Sequence, residues 1–133
     1  MSRENVEIVR QAWKAYDERG IDGYLDYVAE DCVCEDFPEL PDRGTYIGRE
    51  GQRERYWHFV GIWGEFAMDP VEFIDAGNDV VIAVVAMTGR GEGSGAPLHA
   101  PAVFVYELRD GAVVRDRPFT SKVQALEAVG LRE

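Results

Sequence analysis

Three side chains have the chemistry for proton transfer and a distinctive place in the chain: Asp36, His99 and Asp116. Asp36 follows Glu35 at the end of the run YVAEDCVCEDF. His99 opens the run HAPAVF and is one of two histidines, whose imidazoles are the side chains suited to acid–base work near neutrality. Asp116 stands between Arg115 and Arg117 in VVRDRPF. In a strand it faces one way and the two arginines the other. Either Asp116 and Pro118 look into the interior, or Arg115, Arg117 and Phe119 do. Each residue also has a plainer reading. With 25 acidic residues in the chain, an acid at a strand end is usually solvated. His99 sits beside a glycine-rich loop, and Asp116 has the makings of a cross-strand ion pair. His58, next to Trp57, falls off the main apolar stripe of its helix and carries less weight.

Other chemistries lack their residues. GRGEGSG has neither the strand–turn–helix setting nor the lysine of a phosphate-binding loop. Cys32 and Cys34, with two scattered histidines, do not have zinc-site spacing. No G-x-S-x-G elbow is present. The expectation is therefore a protein without metal or cofactor.

The elements that must position these groups follow from periodicity. Val6, Val9, Trp13 and Tyr16 recur at helical spacing, and Gly20 ends that helix in the left-handed position. Ile21, Tyr24, Leu25 and Val28 mark a second, shorter helix. Cys32 to Phe37 reads as a strand, and Pro38, Pro41 and Gly44 as a loop. A third helix starts at Gly48, with Tyr56, Phe59, Val60 and Trp63 on one face and Arg49, Glu50, Arg53, Glu54 and Arg55 near its start. Strands are expected over Val71–Ala76, Val80–Met87, Leu98–Leu108 and Ala112–Phe119. Gly77-Asn78 and Asp110-Gly111 are hairpin turns, and GRGEGSGAP is a flexible hairpin tip. Lys122–Val129 closes the chain as a helix. The order α-α-β-α-β-β-β-β-α is that of a single α+β domain over residues 1–133.

VVIAVVAM, from Val80 to Met87, does not alternate, so both faces of that strand need a cover. A second copy of the chain is the simplest one, which predicts a homodimer through the sheet. The net charge of −11 argues against nucleic acid and anionic membrane partners. No apolar run reaches the length of a membrane span. The N-terminus MSRENVEIVR has no secretory pattern, and the cysteines read as free thiols, so a cytoplasmic location is expected.

The stretches IDGYLDYVAEDCVCEDF, YIGREG, VEFIDAGNDVVIAVV, VYELRDGAVV and QALEAVGL resemble, in order and spacing, the nuclear-transport-factor-2-like superfamily and its SnoaL-like branch. The resemblance implies a conical barrel: a strongly curved antiparallel sheet wrapped around three N-terminal helices, with a short C-terminal helix and an apolar pocket inside. It implies binding of a small apolar or polycyclic molecule. The associated chemistry is cofactor-free acid–base work: isomerisation, cyclisation, dehydration or epoxide hydrolysis. A non-catalytic ligand-binding or dimeric scaffold module is the alternative. Asp36 falls where ketosteroid isomerases place their general base, and desolvation favours basicity in such a carboxylate. Asp116 loosely resembles the late-strand acid of SnoaL-like cyclases, and His99 is the other expected partner. The isomerase oxyanion hole has no counterpart, because its positions fall near Ala12 or Trp13 and at Ala102 to Phe104. The expected pocket lining is Trp13, Tyr16, Tyr56, Trp57, Phe59, Trp63, Phe104, Arg117 and Phe119.

Overall fold

The computed structural model describes residues 2–40, 43–64, 66–90 and 97–131. Helix α1 (Ser2–Arg19) lays its apolar stripe on a sheet, burying Val9 to 1% and Trp13 to 4% exposure. It ends at Gly20, whose φ of 73° few other residues adopt cheaply. Helix α2 (Ile21–Leu25) then turns back so tightly that a Cβ on Gly23 would sit 2.4 Å from the Ala15 carbonyl oxygen. Val28, expected at the end of this helix, already opens β1 (Val28–Glu35).

Strand β2 (Thr45–Ile47), absent from the sequence reading, pairs antiparallel with β1 and leads into α3 (Gly48–Trp63). Then come β3 (Phe66–Gly77), β4 (Val80–Arg90), β5 (Pro97–Arg109), β6 (Ala112–Phe119) and α4 (Lys122–Ala128). The strand order is β2-β1-β6-β5-β4-β3. The sheet is antiparallel as expected except at one pairing, where β1 runs parallel to β6. It is curved and unclosed, with β2 and β3 at its edges. The hairpins turn at Asn78-Asp79 and Asp110-Gly111, all four with positive φ. Residues 91–96, in the expected flexible tip, lie outside the described residues.

The two faces of β4 have different covers. Val81, Ala83 and Val85 point into the concave side and join the main core with α1, α2 and β1. Ile82 points outward and is fully buried with Val103, Val105, Ala125 and Leu126. Helix α4 therefore supplies, within one chain, much of the cover for which a second copy was the expected source. Val84 and Ala86, further along the same face, stay half-covered. Among the described residues no helix is long and apolar enough to cross a membrane.

Candidate functional site

The curved sheet and the helices enclose a cavity of about 60 Å³. Helix α1 contributes Trp13 and Tyr16, helix α2 contributes Ile21 and Tyr24, and α3 contributes Gln52, Arg55, Tyr56 and Phe59. The sheet contributes Met68, Met87, Ala102, Phe104 and Pro118. Trp13 packs edge-on against Tyr16 and Tyr24 and tilts against Phe104, with centroids 5.4–5.9 Å apart. The Tyr16 and Tyr56 hydroxyls meet 3.0 Å apart, joining α1 to α3. Burial first, then this bond to Tyr56, raises the Tyr16 pKa above the ordinary phenol value.

Asp116 is fully buried in the wall behind the lining. Its Oδ2 accepts hydrogen bonds from the Tyr24 hydroxyl at 2.8 Å, Gln52 Nε2 at 2.9 Å and Arg55 Nη2 at 2.8 Å. Arg55 also donates to the Glu35 carbonyl oxygen at 2.8 Å. Burial works against the Arg55 charge, but the adjacent Asp116 carboxylate raises the pKa nonetheless, so the guanidinium is a fixed cation. The Tyr24 and Tyr106 hydroxyl oxygens lie 3.1 Å apart. Burial, then the Asp116 charge, lifts both phenols well above their usual range and keeps them neutral. Asp116 thus ties three cavity-lining side chains to one oxygen.

Asp36, just past the end of β1, is 8% exposed and itself lines the cavity. Its Oδ2 accepts from the Gly44 amide and the Tyr46 hydroxyl, each at 3.0 Å. The Tyr46 hydroxyl lies 3.4 Å from Nδ1 of His58. Asp36 and Pro118 also border a second, more polar recess of about 320 Å³ that includes Arg43 and Arg117.

The open question about β6 has an answer: Pro118 lines the cavity and Asp116 lies behind it, so their face is the inward one. Arg117 and Phe119, expected in the lining, are on the other face. Arg117 lies over the Phe119 ring at 5.8 Å, and Phe119 packs with the outer cluster under α4. Trp57, also expected in the lining, is 57% exposed on the far side of α3. His99, in β5, pairs through its backbone with Thr88 of β4. The side chains of His99 and Trp63 lie outside the described residues. Trp13, Tyr16, Tyr56, Phe59 and Phe104 all line the cavity beside Asp36.

Sequence reading passed over Gln52, Arg55, Tyr24 and Tyr46. Arg55 was hidden in a charged cluster that resembles a solvated helix start. Gln52 lies one turn before Tyr56 on the stripe that continues to Phe59, which is the signal that could have found it. Among the described residues no group of histidine, cysteine, aspartate or glutamate has metal-binding geometry.

Comparison with known proteins places this geometry among relatives. The family described as SnoaL-like domain matches residues 9–116. No curated protein matches the chain. Among solved structures, TerC co-crystallized with polyporic acid is 23% identical, with 95% of this chain and 98% of that one covered and a TM-score of 0.75. An NTF2-like protein from Burkholderia xenovorans is 25% identical over 98% of each chain, with a TM-score of 0.72. A Mycobacterium tuberculosis protein in complex with estradiol-17beta-hemisuccinate is 17% identical, covering 86% of this chain and 92% of that one, with a TM-score of 0.67. These likenesses concern the fold.

Proposed function

Since the chain belongs to the SnoaL-like domain family, a fold whose functions differ from member to member, we propose from its own site that it binds a small, largely apolar molecule in the cone and acts on it by cofactor-free acid–base chemistry. One observation carries this reading: a buried carboxylate, Asp36, and a buried cation, Arg55, face the same aromatic cavity without bonding to each other. Asp36 is the group that takes a proton from a bound C–H or O–H. Arg55, locked by Asp116, has further N–H groups to stabilise an oxygen on which charge develops. Isomerisation, cyclisation, dehydration and epoxide hydrolysis can each use that pairing. The structures of TerC with polyporic acid and of the mycobacterial protein with estradiol-17beta-hemisuccinate support a small-molecule-binding reading of the fold.

Asp36→Asn is the test. Ligands come from a thermal-shift screen of small ketones, epoxides and hydroxyaromatics, and hits are assayed for turnover. We expect turnover to fall about 100-fold or more with little change in affinity. Unchanged turnover removes Asp36 from the chemistry.

The closeness of the aromatic packing favours a second reading, a non-catalytic binding module. A cavity of about 60 Å³ holds a few waters, against the roughly 300–1,000 Å³ of ordinary ligand pockets. A ligand that binds tightly and is never converted decides for that reading. We also propose a homodimer through the part of the outer sheet face that α4 leaves half-covered, around Val84 and Ala86.

A further inference from the structure

Among the described residues four buried side-chain polar atoms have no hydrogen-bond partner in the protein: Trp13 Nε1, Gln52 Oε1, Asp116 Oδ1 and Arg117 Nε. Folded interiors leave few such atoms, because each costs about 1–3 kcal/mol when its partner is missing. Three of the four gather at the cavity. Trp13 and Gln52 line the cavity, Asp116 is bonded to Gln52 behind it, and Arg117 borders the adjoining recess.

Gln52 is the most informative of them. It is 2% exposed, and its amide orientation is fixed: Nε2 donates to Asp116, and the reverse orientation would set two oxygens against each other. The carbonyl oxygen is then the unpartnered atom of a cavity-lining residue, a buried acceptor in a wall otherwise made largely of rings and methyl groups. The Trp13 indole N–H is a buried donor on the same cavity. It lies close enough to the Tyr106 hydroxyl to act on it electrostatically.

We infer that Gln52 is a specificity-determining residue of the cavity, accepting a hydrogen bond from a hydroxyl on the ligand. A hydroxyl is a compact donor for Gln52 Oε1 that leaves the rest of the ligand apolar. The ligand class is an apolar body carrying at least one free hydroxyl. Its methyl isostere leaves Gln52 unpaired, and such a site rejects it. This inference rests on the cavity being a ligand site, but it concerns what Gln52 reads, not the role of Asp36.

The experiment compares phenol with toluene, the same ring bearing a hydroxyl or a methyl, in NMR titrations of the full chain. On apolar burial alone toluene is the tighter binder. The inference predicts the opposite order, with phenol ahead by about tenfold or more. In Gln52→Met, which keeps length and loses the acceptor, toluene should draw level or lead. A crystal structure of the unmodified protein with phenol gives a second measurement that does not depend on how the variant folds. The phenol oxygen should lie within hydrogen-bond distance of Gln52 Oε1. Equal affinities, or a phenol oxygen bonded elsewhere in an occupied cavity, overturn the inference and leave the ligand cavity standing. Binding of neither compound overturns both.

Discussion

At the residue scale, the site is organised by one buried ion pair. Arg55 and Asp116 have side chains 12% and 0% exposed and bond at 2.8 Å. Removing one member leaves the other charged and unpaired in a poorly solvated wall. Arg55→Met is therefore expected to cost about 3–5 kcal/mol, measured by urea unfolding. A loss below about 1 kcal/mol would show the pair to be dispensable. The cysteines give a pH-dependent counterpart. Cys32 and Cys34 are free and 0% exposed, and burial, with the nearby Asp116 charge among the contributors, pushes both up to about 12. The folded thiols hold their protons where unfolded ones, near 9.0, release them. Their contribution to stability is thus complete below pH 9 and is lost as pH rises from there toward 12. A melting temperature that falls through this window, and falls less in the double Cys→Ala variant relative to its own neutral value, checks the sign. Type and position made Asp36 legible in the sequence. Arg55 was not legible, because nothing local separates an arginine paired with a buried carboxylate from Arg53 two residues earlier, which pairs with the exposed Asp22 and Glu50.

At the element scale, periodicity located the helices and hairpins but not every partner. β6 is found with its expected bounds, and α3 begins at Gly48 as expected. β2 escaped because three residues, with Ile47 63% exposed, leave no alternation to read. β1 began earlier than expected because Glu30 and Asp31, at exposed positions on its first half, look like a loop. The uninterrupted run of β4 correctly demanded two covers, but nothing in that run said that α4 would be one of them. The part of β4 that α4 leaves half-covered is where the proposed dimer is tested. The wild-type chain is expected to sediment as two copies at micromolar concentration. Ala86→Asp, which places a charge on the half-covered outer face, should sediment as one copy with little loss of stability. A wild-type monomer removes the dimer.

At the scale of the molecule, the cone is a fold that leaves its inner space partly unfilled. The helices and the sheet meet over polar groups that neither element fully satisfies, and Asp36 stands where the inner cavity adjoins the outer recess. The family and the cone could be read from the order of segments. The compactness of the cavity could not, because it depends on how Trp13, Tyr16, Tyr56 and Phe104 pack together in space. Admission of a ring requires some of these side chains to move apart. The central claim is that the cone accepts a ligand there, and two of the chain's three methionines, Met68 and Met87, report on it directly. The measurement is a titration of methyl-¹³C-methionine protein with phenol, followed by NMR. The account predicts saturable shifts of the Met68 and Met87 methyl resonances. Met68 and Met87 resonances that stay in place up to the solubility limit of phenol would contradict it.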